Sequence, residues 1–289
     1  MKLVTYLLGS QVSIGAVDER GVVDLSVIAP DMLSLIAAGS VGLDRARALW
    51  ASASASIPVG AERVTLLAPI PKPRRNIMCL GLNYAEHARE SAEAHGREYK
   101  QHAHPVFFTK ATHTINRHEG AIPFDPAVSE QIDWEAELGV IIGRSGKNIP
   151  MAEATDHVFG YTCLNDVSAR DLQANHSQFF KGKSLDGACP MGPWIVTADE
   201  IPDPHALHIA CRVNGVTKQD SSTAHMIFRI PDILAILSRG MTLDAGDVIA
   251  TGTPSGVGFA RKPPEFLKPG DVVEVEIEKI GVLRNRVGE

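Results

Sequence analysis

Asp133-Trp134-Glu135-Ala136-Glu137-Leu138-Gly139-Val140-Ile141-Ile142 is the stretch on which the reading of this chain turns. Its aliphatic, β-branched second half favours a strand. Alternate residues of a strand share a face, so Glu135 and Glu137 point the same way, about 6–7 Å apart along the backbone. Trp134, Ala136 and Leu138 take the other face, which suits a core. Two carboxylates converging at about 4 Å repel by roughly 4 kcal/mol at an effective dielectric of about 20. Such a pair turns inward only with a proton, cationic neighbours or a bound metal; the plain alternative is a solvated edge strand with its acids outward.

A second stretch weighs against the plain alternative. Phe159-Gly160-Tyr161-Thr162-Cys163-Leu164-Asn165 reads as a buried strand that delivers Asp166 at its end. A helix over 168–175 is expected next, with Ser168 and Asp171 in capping-box spacing. If Asp166 meets Glu135 and Glu137, three oxygen donors assemble. That set suits a hard cation, Mg²⁺ or Mn²⁺, better than zinc, which prefers Cys and His.

The rest of the composition is that of an ordinary globular chain. Of 289 residues, 44% are hydrophobic and 21% charged, which excludes a disordered or fibrous protein. The formal net charge is −6, and the one basic cluster, Lys72-Pro73-Arg74-Arg75, is short and Pro-interrupted, so nucleic acid is not an expected partner. No apolar run approaches the length that spans a bilayer, and no secretory leader opens the chain, so a cytoplasmic location and no membrane partner are expected. Cys79, Cys163, Cys189 and Cys211 are widely spaced among apolar or small residues, which predicts buried thiols rather than a zinc or redox motif. Thr251-Gly252-Thr253-Pro254-Ser255-Gly256-Val257-Gly258 lacks the Gly-Lys-Ser/Thr ending of a phosphate loop.

Ala68-Pro69-Ile70-Pro71-Lys72-Pro73 is a stiff extended connector, and a domain boundary is placed there, giving units over 1–70 and 71–289. Before it, strands are expected over 3–8 and 12–17, with helices over 32–38 and 43–53. Beyond it the pattern is mostly β: strands over 76–82, 106–109, 138–142, 161–165, 194–197 and 209–214, with helices over 84–93 and 230–238. Asn214-Gly215 predicts a hairpin, because a type I′ turn needs positive φ at both central residues. The echoing segments Asp244-Ala245-Gly246-Asp247 and Lys268-Pro269-Gly270-Asp271 read as tight turns feeding strands, which makes Asp247 and Asp271 turn residues.

Five motifs in order resemble the fumarylacetoacetate hydrolase family, from about Asn76 to the C-terminus. They are Gly81-Leu82-Asn83-Tyr84 with His87; Asp133-Trp134-Glu135-Ala136-Glu137-Leu138; Asn165-Asp166-Val167-Ser168-Ala169-Arg170-Asp171; Gly182-Lys183-Ser184 followed by Gly192-Pro193-Trp194; and Gly252-Thr253-Pro254-Ser255-Gly256-Val257-Gly258. The resemblance implies an α+β fold, mostly β: a mixed β-sandwich roll behind a small N-terminal α+β domain, usually a homodimer. It implies Glu135, Glu137 and Asp166 as ligands of Mg²⁺ or Mn²⁺, with Ca²⁺ a stand-in in crystals. His87 and Glu90 match the family's catalytic dyad, the glutamate orienting the histidine that activates water. Arg170, Gln173, Lys183 and Thr253 match positions that hold a small 2-oxo acid.

The residue types agree with that chemistry. His87 and Glu90 are three apart and share a helix face, so the carboxylate can fix the imidazole tautomer near neutral pH. A 2-oxo acid chelates a cation that, as a Lewis acid, stabilises the enolate left by C–C cleavage. Lys183 is a natural oxyanion donor or carboxylate clamp and Arg170 a bidentate one, with Lys110 and Lys181 lesser alternatives. The expected activity is hydrolysis of an acylpyruvate or related 1,3-diketo acid, releasing pyruvate, in aromatic or sugar-acid catabolism. Oxaloacetate decarboxylation and isomerisation of 2-hydroxyhepta-2,4-diene-1,7-dioate use the same metal site and are the alternatives. The polar stretch over 91–105 reads as a mobile lid. His95, His102, His104, His113 and His118 read as solvated.

Overall fold

Strand Ala136–Ile142 is buried at every position, as an unbroken aliphatic run requires of a strand covered on both faces. The computed structural model describes residues 1–54, 56–58 and 64–288. In it this strand pairs antiparallel with Val158–Asn165 on one side and Val248–Ala250 on the other. An eleven-stranded sheet extends from there. Ile77–Gly81 and Val106–Lys110 lie beyond Val248–Ala250; Cys189–Thr197, Lys2–Leu8, Gln11–Asp18 and Gly21–Asp24 lie beyond Val158–Asn165. A five-stranded sheet contains the hairpin His208–Val213 and Val216–Ser222 together with Val272–Ile277 and Gly281–Val287.

Alternation along the central strand, carried back to Trp134 in the two-residue break that precedes it, sorts the side chains between two cores. Trp134, Ala136, Leu138, Val140 and Ile142 join Ile209, Cys211, Val275 and Leu283 of the smaller sheet in one cluster. Ile141 faces the other way, into a cluster with Leu3, Ile14, Leu35 and Ile36. The large sheet is therefore sandwiched, which is the mixed β-sandwich expected. The segment over 1–70 supplies both strands and helices, Met32–Ala37 and Gly39–Ser52 among them. Its first strand is hydrogen-bonded into the large sheet, with Lys2 opposite Val196 and Leu3 opposite Ile195.

The helix expected over 84–93 runs Ala85–Ala94, and that over 230–238 runs Ile230–Leu237. Asn214 and Gly215 turn the hairpin with φ of 52° and 77°. Asp247 accepts from Asp244 N at 2.7 Å and Asp271 from Lys268 N at 2.8 Å, so both close turns. All four cysteines are buried and free. The expected cap at Ser168 is not formed. Ser168–Ala169 is instead a short strand against Ile132–Asp133, and the helix covers only Arg170–Asn175. The Ser168 hydroxyl donates to Asp166 O at 2.8 Å, and Asp171 accepts from Ser129. Tertiary pairing with Asp133 outweighs the local capping preference. His118 is half-buried rather than solvated, its Nδ1 accepting from Arg284 N at 3.1 Å.

Leu138 is fully buried between the sheets. Leu138→Ala removes three heavy atoms from that core and is expected to cost about 2–5 kcal/mol, measured as a lowered urea midpoint with an unchanged denaturant slope.

Candidate metal centre and cleft

The two buried strands bring their carboxylates together at one end of the sheet. The Asp166 N–H donates to Glu135 O at 2.9 Å, and the Glu135 N–H donates to Asn165 Oδ1 at 3.0 Å. These bonds fix the two chain segments side by side just beyond the regular pairing. Glu135, Glu137 and Asp166 are buried, and a ligand oxygen from each lies within 4.8 Å of the others. The convergence expected of the three acids is therefore present.

Such a cluster needs compensation. Lys183 Nζ donates to Glu135 Oε2 at 2.7 Å and Asp166 Oδ2 at 2.8 Å. Lys110 Nζ donates to Asp166 Oδ1 at 2.7 Å and to Val167 O at 3.0 Å. Arg170 pairs with Glu135 Oε1 at 2.7 Å and, through Nε, with Asp133 Oδ2 at 2.8 Å. Four buried carboxylates thus face three buried cations, a formal excess of one negative charge that a proton or a bound cation has to offset. Burial opposes the charge on Glu135, but Lys183 and Arg170 outweigh it and hold its carboxyl at about 2. Glu137 is treated differently. Burial, then the charges of Asp166 and Glu135, push its carboxyl well above the ordinary range.

Glu137 Oε2 accepts from Gly252 N at 2.7 Å, while its Oε1 is buried with no partner. A buried carboxylate oxygen left unpaired is costly. An all-oxygen donor set, one residual negative charge and an orphaned oxygen fit a hard divalent cation held by Glu135, Glu137 and Asp166.

A cleft of about 550 Å³ opens beside the cluster, lined by His87, Glu135, Arg170, Gln173, Lys183 and Thr253 among others. Of the residues expected to form the site, Glu137, Asp166 and Glu90 are not part of this lining, although the first two lie against Glu135. His87 Nδ1 lies 3.3 Å from Glu90 Oε2. Glu90 is itself fixed by the Gly256 N–H, at 2.9 Å to Oε1. Gln173 Oε1 accepts from Arg170 at 3.0 Å. The Thr253 hydroxyl is committed to the protein, donating to Ala136 O at 2.9 Å and accepting from Gln219 Nε2 at 2.8 Å. Lys183 makes two bonds to carboxylates and keeps a third proton available. Lys181 does not line the cleft.

Two residues of this centre were given no role in the sequence, and a third was ranked low. Asp133 is fully buried and accepts from Trp134 N, Gly258 N, Phe259 N and Arg170 Nε, so it ties Arg170 to the loop that follows Thr253. Its signal was the same two-residue step that joins Glu135 to Glu137. Gln219 bridges Ala136 N, Thr253 and Pro254 O from the smaller sheet, and nothing local marks it. Lys110 had ranked only as a lesser oxyanion donor. Its signal was a cation closing the apolar strand Val106–Lys110.

Comparison with known proteins gives the family. The family model for the fumarylacetoacetate (FAA) hydrolase C-terminal domain matches residues 76–288. Oxaloacetate tautomerase YisK of Bacillus subtilis (strain 168) is 45% identical over 276 residues, 93% of this chain and 90% of that protein. The solved structure of fumarylacetoacetate hydrolase (EaFAH) from psychrophilic Exiguobacterium antarcticum superposes with a TM-score of 0.84 at 42% identity, covering 100% of this chain and 99% of that one. Maleylpyruvate hydrolase from Sphingobium sp. SYK-6, in complex with manganese(II) ion and pyruvate, gives 0.79 at 29% identity, covering 100% and 99%. Matched in sequence and in fold over most of its length, the chain belongs to the fumarylacetoacetate hydrolase family of enzymes.

Proposed function

We propose that this enzyme interconverts the enol and keto forms of a small 2-oxo acid of the oxaloacetate type. The observation that carries the reading is one cleft lined by His87, Glu135, Arg170 and Lys183, with Glu137 and Asp166 grouped against Glu135 beside it and Glu90 against His87. The 45% identity to an oxaloacetate tautomerase supports the choice of reaction. A divalent cation held by Glu135, Glu137 and Asp166, Mg²⁺ or Mn²⁺ in our reading, supplies Lewis acidity that favours the enolate.

The side chains divide the remaining work. Arg170 and Gln173 hold the carboxylate next to the oxo group, a planar guanidinium matching a planar anion. Lys183 turns its remaining N–H toward the oxo oxygen, where charge rises as the enol loses its proton. His87 exchanges a proton with C3 through Nε2, because Glu90 occupies Nδ1 and so sets the tautomer. One proton leaves oxygen and one arrives at carbon, so no water is consumed and the carbon skeleton is intact.

Hydrolysis of an acylpyruvate is the second reading. The same His87–Glu90 pair is built to activate water, and the neighbour crystallised with manganese(II) and pyruvate is a maleylpyruvate hydrolase. There His87 would take a proton from water as it attacks the distal carbonyl, and pyruvate would leave.

With Mg²⁺ or Mn²⁺ present, the enzyme is expected to hasten the loss of oxaloacetate enol absorbance while total oxaloacetate stays constant. Loss of total oxaloacetate with release of CO₂ counts against tautomerisation, and pyruvate released from acetylpyruvate or fumarylpyruvate favours the second reading. His87→Ala should lower kcat by about 100-fold or more with the Mn²⁺ dissociation constant little changed. Unaltered turnover removes His87 from the chemistry. Mg²⁺ or Mn²⁺ at about 100 times its Kd should raise the stability of the wild type by roughly 2.7 kcal/mol, read as a higher Tm, and Glu137→Ala should abolish that rise.

A further inference from the structure

The segment after helix Ala85–Ala94 takes no part in the proton transfers above, yet it forms a wall of the cleft. The chain leaves the helix through Gly96, two residues past Ala94, with φ of +64°. There the Arg97 N–H donates to Ala92 O at 2.8 Å and the Gly96 N–H to Glu93 O at 3.0 Å. This pair of bonds closes a left-handed helix end that turns the chain back on itself. Arg97, Glu98, Tyr99 and Lys100 then line the same cleft as His87, Arg170 and Lys183. Arg89 on the helix stacks over the Tyr99 ring, 5.3 Å from its centroid, and pins the returning segment.

The charges on this wall are not spent inside the protein. Among the described residues, neither Arg97 nor Lys100 forms an ion pair, even with Glu98 between them in sequence. Arg170 and Lys183 are by contrast both committed to Glu135. The Tyr99 hydroxyl is buried without a hydrogen-bond partner, although buried polar groups are nearly always paired. In a chain of net charge −6, two free guanidinium and ammonium groups and an unpaired hydroxyl thus meet at one cleft wall. A second carboxylate on a bound 2-oxo acid finds no uncommitted cation in the inner cluster. On this wall it finds two.

We infer that Arg97 and Lys100, with the Tyr99 hydroxyl, form a second anion subsite that selects 2-oxo acids carrying a further carboxylate remote from the oxo group. The inference rests on the reading of the cleft as a 2-oxo acid site.

Pyruvate is oxaloacetate without the distal carboxylate, so the pair isolates the subsite. Competition binding in the presence of Mg²⁺ should show wild type holding oxaloacetate more tightly than pyruvate. The Arg97→Ala/Lys100→Ala double variant, altered only in exposed side chains, should lose about tenfold or more toward oxaloacetate and stay within about twofold toward pyruvate. Equal losses for both ligands, or none for either, overturn the subsite. So does a wild type that binds the two alike. A wild type that prefers oxaloacetate through these side chains but leaves its enol untouched removes the proposed reaction while the subsite stands.

Discussion

The structure depends on keeping four carboxylates out of water: Asp133, Glu135 and Glu137 from one stretch of chain, and Asp166 from another. Desolvating even one costs several kcal/mol unless it is paired, and each is answered separately. Asp166 has two lysines, Glu135 a lysine and an arginine, Asp133 the Arg170 Nε and three backbone N–H groups. Glu137 has a single backbone N–H and is the least satisfied of the four. The architecture around them follows from this need. Lys110 ends one strand of the large sheet, Lys183 sits in helix Phe180–Lys183, and Arg170 opens a helix of its own, so three distant parts of the chain must close on the same point.

The loop over 252–259 serves two of these carboxylates, and Glu90 besides, through its backbone. Gly252 donates to Glu137, Gly256 to Glu90, and Gly258 and Phe259 to Asp133. Glycine is required where the loop comes closest. Gly252 has φ of +96°, and a Cβ there would stand 2.7 Å from Asn83 Cβ; a Cβ at Gly256 would stand 2.1 Å from Lys218 O. A segment that resembles a phosphate loop in composition thus binds the protein's own carboxylates. Glu137 of the metal centre and the carboxylate of the His87–Glu90 pair share this one support, so their relative positions are set together.

Much of this was legible in the sequence because it follows from alternation. Trp134, Ala136 and Leu138 on one face and Glu135 and Glu137 on the other need only a strand, and the hairpin at Asn214-Gly215 needs only two residues able to take positive φ. What was not legible depends on partners far away in the chain. Ser168 has the local signature of a helix cap, but its backbone is claimed by Asp133, thirty-five residues earlier. Gln219 has no signature, since its role arises only when the smaller sheet packs against Ala136 and Thr253. Asp133 was quoted as part of a motif, yet its four hydrogen bonds come largely from residues more than thirty positions distant.

The pairing of Lys2–Leu8 with Cys189–Thr197 has a consequence for any shortened form of the chain. Removing the residues before Asn76 would bare the ladder groups of Cys189–Thr197 along that side and strip Leu3, Ile14, Leu35 and Ile36 from the apolar cluster behind it. A long unprotected strand border beside an uncovered greasy surface is a template for self-association. The opening strands therefore act as a hem on the large sheet, and the catalytic portion cut loose from them would tend to aggregate.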